Sequence, residues 1–282
     1  MNMPSGLSRL LLSTLVLVGG AAAAKDHDVL VLGDSVSFSY IASVGYDFFY
    51  TDAENFIGFP EDLGRKLDLK VVNAACPGET TGSFLSSSAP DNGCQLFRSY
   101  FPLHVDYSST QLDFATKYLK SHRDVRLVTV LLGANDGFLL EKACNYDPTC
   151  IQNGAQALGY AVATNMNAIL AGLRATGYRG AIVVANYWSM DYSDPVATAG
   201  VVGLNAAIEY PASAYGAVVA DVFTTFQKAI AANPFAGGNT CKAGLLNPDV
   251  KSPFFCDVHP AQSGHRLIAR TIAKAAREAG LD

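Results

Sequence analysis

Four short polar blocks interrupt this apolar-rich chain, and their residue types are those of nucleophilic chemistry. The first is Gly33-Asp34-Ser35, which follows the apolar run Val29-Leu30-Val31-Leu32. The run reads as a buried strand, and the glycine after it permits a sharp turn. A serine just past such a turn is lifted to the rim of a sheet, where its hydroxyl can act as a nucleophile. Ser35 is therefore the first candidate catalytic residue. A serine nucleophile needs a base, a group to orient the base, and donors for a developing oxyanion. The other blocks are Gly78, in Asn73-Ala74-Ala75-Cys76-Pro77-Gly78, then Gly133-Ala134-Asn135-Asp136, then Asp257-Val258-His259-Pro260. Taken singly, Gly78 reads as a turn glycine and Asn135-Asp136 as a strand-end turn or helix cap. Asp34 reads as the cap of a helix beginning after Ser35, in preference to a catalytic role.

The elements that must position these blocks follow from hydrophobic periodicity. Strands are expected near 29–32, 69–72, 127–132, 181–185 and 217–220. Helices are expected over 60–67, 109–121 (capped by Ser109, with Leu112, Ala115 and Leu119 on one face), 196–208 and beyond Pro260. Leu158, Val162, Met166, Ile169 and Leu173 predict a long amphipathic helix ending at Gly177. Residues 80–107 and 234–253 read as loops, and His259 as part of a loop before the last helix. Strands alternating with helices indicate a parallel sheet covered on both faces. The first three blocks then fall at the carboxyl ends of strands, where open α/β sheets bind ligands.

Bulk properties narrow the function. Arg9, the apolar stretch 10–18 and Ala22-Ala23-Ala24 read as an export signal over 1–24, too short to span a bilayer. Residues 25–282 then form one domain, without repeats or a change of composition. Losing 1–24 removes Arg9 alone among the charged side chains, moving the formal charge from −5 to −6. That balance provides no basic footprint for nucleic acid or anionic lipid. Six cysteines in an exported chain point to three disulfides. Spacing favours sequential pairing, Cys76–Cys94, Cys144–Cys150 and Cys241–Cys256. Asp257 and His259 would be half a metal site, but no other pattern completes it.

The four blocks in this order resemble the SGNH hydrolases, the GDSL-type lipases and esterases, over almost the whole of residues 25–282. The resemblance rests on Gly33-Asp34-Ser35, Gly78, Gly133-Ala134-Asn135-Asp136, His259 before Pro260, and the trailing Gly264-His265. It implies a flavodoxin-like three-layer α/β/α sandwich with a five-stranded parallel sheet ordered 2-1-3-4-5, and no cofactor. Ser35 would attack an ester carbonyl, and His259 would take its proton and pass it to the departing alcohol. The oxyanion donors would be the N–H of Ser35, the N–H of Gly78 and the amide of Asn135. The chain departs from the pattern in two places. Val36, Ser37, Phe38 and Ser39 stand where a glycine often follows the nucleophile. The family's Asp lies three residues before its His, a position held here by Cys256, with Asp257 two before. Either the Asp257 carboxylate or the Cys256 carbonyl would orient His259. Aromatic residues over 46–50, Trp188 and Phe254-Phe255 suggest an apolar acyl pocket and a lipophilic ester substrate. An acetylated glycan, acyl transfer to another acceptor, and a secreted binding protein without activity are the other readings. An extracellular location is expected, with the periplasm or cell envelope also compatible.

Overall fold

The computed structural model describes residues 27–42, 47–249 and 252–281. The export signal expected over 1–24 lies outside them, as does Tyr46.

Strand β1, Asp28–Gly33, is buried along its whole length, as a central strand covered on both faces must be. The short helix α1, Ser35–Phe38, follows at once, then α2, Phe59–Leu67, and β2, Lys70–Asn73. Two short helices, α3 (Thr81–Leu85) and α4 (Cys94–Tyr100), precede α5 (Gln111–Ser121) and β3 (Val125–Leu131). Next come α6 (Ala134–Ala143), α7 (Pro148–Ala175), β4 (Ala181–Ala185), α8 (Pro195–Glu209), β5 (Val218–Ala220) and α9 (Val222–Ala231). A hairpin of β6 (Leu246–Asp249) and β7 (Ser252–Pro260) leads into α10 (Gln262–Glu278).

The five-stranded sheet is parallel, in the order β2-β1-β3-β4-β5. Helices α2, α9 and α10 pack together on one face, and α3, α5, α6, α7 and α8 on the other, forming three layers. The order reverses between β1 and β3, so the carboxyl end of β1 lies at the switch point where such sheets bind ligands. The main core runs through the sheet, and α7 contributes Val162, Met166, Ile169, Leu170 and Leu173 from one face. A smaller aromatic core of Phe38, Tyr50, Phe56 and Leu103 surrounds the Cys76–Cys94 bridge. Cysteines 144 and 150 are bonded to each other, as are 241 and 256. Among the described residues no helix is long and apolar enough to cross a membrane.

Several segments differ from the sequence expectation. The 80–107 stretch holds α3 and α4 rather than one loop. Its serines and threonines cap helices: Thr80 accepts from the Ser83 N–H, and Ser83 Oγ accepts from the Thr80 N–H. Thr110, not Ser109, caps α5 by accepting from the Asp113 N–H. Residues 246–249, expected within a loop, form β6, and His259 therefore sits on a strand. Proline and aspartate in Leu246–Asp249 obscure that strand in the sequence, since both are depleted from strands.

Candidate active site

Ser35 is the first residue of α1, directly beyond the turn at Gly33 and Asp34. Gly33 has φ +141°, and a Cβ there would lie 2.1 Å from the Leu131 carbonyl oxygen. No other residue type fits a turn held this close to β3. Asp34 caps α1 by accepting from the Val36 N–H (2.9 Å), and its second oxygen accepts from the Tyr187 hydroxyl. Burial pushes its carboxyl up to about 6, against the Tyr187 and Val36 hydrogen bonds and the nearby His259. Asp34 thus supports the turn and makes no bond to Ser35 Oγ or the His259 ring.

His259 brings its Nε2 to 2.9 Å from Ser35 Oγ, while its Nδ1–H donates to Asp257 Oδ2 at 2.7 Å. A carboxylate at Nδ1 places the ring proton there, leaving Nε2 to accept from the serine hydroxyl. The spacing of two explains itself on a strand, where residues i and i+2 share a face. Cys256 instead joins the bridge to Cys241. Pro260 pairs with Leu246 and Cys256 with Pro248, so three β7 residues stand opposite Asn247 alone. A bulge of this kind re-aims side chains, and here it contains Asp257 and His259. Burial raises the Asp257 pKa, but the His259 hydrogen bond and charge, with the N–H groups of Val258 and His259, hold it below the ordinary carboxylate range.

Gly78 and Asn135 face Ser35 across the same cleft. The N–H groups of Ser35 and Gly78 have no partner among the described residues. Asn135 Nδ2 donates one N–H to the Glu79 carbonyl (3.0 Å), and its second N–H is unpartnered among the described residues. Its Oδ1 accepts from Asn92 Nδ2 (2.7 Å), which fixes which end of the amide faces the cleft, and Lys142 in turn donates to Asn92 Oδ1. Gly78 has φ +87°, and a Cβ there would fall 2.7 Å from the Asn92 carbonyl. Three residues with N–H groups unpartnered among the described residues thus line one cleft beside a serine hydroxyl, a combination that can stabilise a tetrahedral oxyanion.

The cleft holds about 490 Å³ and is walled by Leu96, Phe97, Tyr100 and Phe101 from α4 and beyond, Phe138 from α6, and Val258 from β7. The aromatic residues expected to line it mostly do not. Tyr50 is in the smaller core, and Trp188 is buried and stacked on Phe226. Phe48 and Phe255 are exposed outside the cleft, while Tyr40 lines it and packs edge-on to the His259 ring. The walls come from α4, a helix of only seven residues with no periodic signal to read. Glu79, Gln111, Asn92 and Tyr187 also escaped sequence reasoning. A signal existed for Gln111, which stands with Ala115 and Leu119 on the buried stripe of α5, where a polar residue is out of place. Among the described residues, Cys76, Glu79 and Cys94 are the one His/Cys/carboxylate group close enough to share an ion, but the two sulfurs are bonded to each other and offer no thiolate.

This sheet order, with a hydroxyl–imidazole–carboxylate chain at its switch point, is the arrangement of an SGNH-type hydrolase. The model of the GDSL-like lipase/acylhydrolase family matches residues 31–267, and the chain belongs to that family of ester hydrolases. Similar solved structures include a phospholipase A1 from Streptomyces albidoflavus (17% identity, covering 89% of this chain and 99% of that one, TM-score 0.56). A lipase from a goat rumen metagenome shares 14% identity over 91% of this chain and 100% of its own, with TM-score 0.56. An acetyl xylan esterase variant from Geobacillus stearothermophilus shares 13% over 89% and 94%, with TM-score 0.52. At these identities the likeness establishes the fold alone. No curated protein sequence matches the chain.

Proposed function

We propose that residues 25–282 form an exported, single-domain serine esterase or lipase that hydrolyses lipophilic acyl esters through an acyl-enzyme on Ser35. The observation that carries this reading is the Asp257–His259–Ser35 hydrogen-bond chain opening onto an apolar cleft. His259 Nε2 takes the Ser35 proton as Oγ attacks the ester carbonyl, and the Asp257 carboxylate stabilises the imidazolium that forms. The carbonyl oxygen becomes an oxyanion held by the N–H groups of Ser35, Gly78 and Asn135. His259 then protonates the departing alcohol, and water, deprotonated by the same nitrogen, releases the acid and restores Ser35. Leu96, Phe97 and Tyr100 suit an acyl chain. Three disulfides fit a chain folded in an oxidising compartment, in keeping with export.

A fluorophosphonate probe tests the nucleophile: an adduct on Ser35, absent from Ser35→Ala, is expected, and a folded wild type without one eliminates the serine mechanism. Nitrophenyl esters of increasing acyl length test the cleft. Medium-chain esters are expected to exceed acetate in kcat/KM; a preference for acetate, with activity on acetylated glycans, would redirect the substrate class while leaving the mechanism.

A further inference from the structure

Next to the cleft, one buried glutamate is linked, through its side chain or its main chain, toward each group placed at the oxyanion position. Glu79 follows Gly78 directly and is 3% exposed. Its Oε2 accepts from Gln111 Nε2 (3.0 Å), and its Oε1 accepts from the Ser83 hydroxyl. Gln111, fully buried at the start of α5, grips the nucleophile turn from below. Its Oε1 accepts from the Gly33 N–H at 2.6 Å, and its Nε2 donates to the Gly33 carbonyl at 3.0 Å. The main chain of Glu79 makes the remaining links. Its N–H donates to the Cys76 carbonyl (3.1 Å), and its carbonyl accepts from Asn135 Nδ2 (3.0 Å). The Cys76–Cys94 bridge closes the space behind it, with Cys94 Sγ 3.6 Å from Oε2.

An acid in this place needs a reason. Burying a carboxyl costs several kcal/mol unless its hydrogen bonds are complete, and an apolar side chain would fill the same volume without that penalty. A fully bonded buried network does what an apolar contact does not: it specifies one geometry. Here that geometry joins the Gly33 turn, the Gly78 peptide and the Asn135 amide, three pieces of chain at or beyond the carboxyl ends of β1, β2 and β3. Asp91 and Arg98 act on the carboxyl from the segment around α4, and Tyr107 faces it from the chain before α5. Burial pushes it up to about 7 against the Ser83 and Gln111 hydrogen bonds, with Asp91 acting the same way and Arg98 opposing.

We propose that Glu79 is the positioning residue of the oxyanion hole: its carboxylate sets the Ser35 N–H through Gln111 and Gly33, and by anchoring the side chain to Gln111 and Ser83 it fixes the main chain that carries the Gly78 peptide and holds the Asn135 amide. This rests on the Ser35 acyl-enzyme reading. The test compares the wild-type protein with Glu79→Ala in kcat and KM on a nitrophenyl ester and in Ki for an alkyl trifluoromethyl ketone. The hemiketal oxygen of that inhibitor occupies the oxyanion position, so its affinity reports on the hole and not on ester binding. A displacement of donors by about 1 Å costs about 10²-fold, so kcat is expected to fall by about that factor while KM stays nearly constant. Ki is expected to rise in proportion to the loss in kcat/KM. Glu79→Gln keeps an acceptor toward Gln111 and can turn its N–H₂ to Ser83 Oγ, and is expected to recover most of the activity. A folded Glu79→Ala with wild-type kcat/KM and Ki overturns the proposal, as does a fall in kcat/KM with Ki unchanged. Should Glu79→Ala not fold, Gln111→Leu breaks the same chain from its other end. A loss of about tenfold, shared by kcat/KM and Ki, is then expected, and wild-type values of both overturn the proposal. A wild type that neither hydrolyses esters nor labels at Ser35 sinks the esterase reading and the positioning role together. An active wild type with an indifferent Glu79→Ala sinks the positioning role alone.

Discussion

Asp257 is where one atom decides the chemistry. Its carboxylate can only accept from His259 Nδ1, so the imidazole proton is held on that nitrogen and Nε2 is free for the Ser35 proton. Asp257→Asn keeps the size but presents an amide whose N–H₂ can face Nδ1 and force the wrong tautomer. A fall in kcat of about 10⁴ is expected, with little change in Tm. Near wild-type kcat would mean that a main-chain carbonyl orients the ring. In the proposed mechanism Asn135 acts on the other side of the carbonyl carbon. Truncation to Ala removes one of three donors, and kcat is expected to fall by ~10²–10³ with the fold retained. Equal activity in the two proteins would remove Asn135 from the oxyanion site. Ser35, Gly78, Asn135 and His259 were legible as candidates because each follows or precedes an element with a clear apolar signature. Asp257 was not decided by the sequence, because a spacing of two from His259 works on a strand, and the strand was hidden.

The β6–β7 hairpin is the element that carries His259, the base of the proposed mechanism, and it stands apart from the five-stranded sheet. The Asn247 side chain joins its two strands by donating to the Pro260 carbonyl at 3.0 Å, and the bridge from Cys256 to Cys241, the burial of Leu246 in the main core and contacts with α1 and α10 attach it to the rest. A bridge closing a loop of 15 residues is worth about 3 kcal/mol in the chain-entropy model, and this one ends three residues before His259. The paired replacement Cys241→Ser and Cys256→Ser is therefore expected to lower kcat by at least about tenfold while the far-UV CD of the sheet and helices persists. Simultaneous loss of activity and secondary structure would show that the bridge supports the whole fold instead. The same contrast between sheet and periphery governs what was readable at this scale. Strands β1, β3 and β4 are apolar runs buried on both faces, and α7 repeats its apolar residues over many turns, so pattern alone reveals them. Helices α3 and α4 have five and seven residues, too few for periodicity, and they persist through a capping box and a disulfide. Much of the cleft wall lies on α4, which is why the aromatic residues expected from the sequence to line it mostly stand elsewhere.

Across the whole molecule, buried ionisable groups set opposing slopes in stability against pH. His265, on α10, accepts from the Phe59 N–H of α2 at 3.2 Å and so joins the two helices as a neutral ring. Burial, helped by the charge of nearby His259, lowers its pKa to about 3. The unfolded chain then binds the extra proton first, so this contribution is complete above about pH 6.5 and is lost as pH falls toward 3. Asp34 and Glu79 are shifted the other way, to about 6 and about 7, chiefly by burial. Their folded forms hold protons that the unfolded chain has released, so their cost grows as pH rises through the same range. The Asp34 and Glu79 shifts each correspond to roughly 3 kcal/mol between acid and neutral pH and the His265 shift to roughly 5, and the raw profile of the protein is a difference of such quantities. A variant isolates one of them. His265→Leu deprives the Phe59 N–H of its acceptor, a loss of about 1–3 kcal/mol that is independent of pH, and it removes the His265 slope. The stability of the wild type minus that of His265→Leu, from urea unfolding, is therefore expected to rise by about 3 kcal/mol from pH 4 to pH 8, from near zero or negative to positive. Parallel profiles over that range would mean that His265 is protonated as readily in the folded protein as in the unfolded chain, and that the α2–α10 contact tolerates its charge.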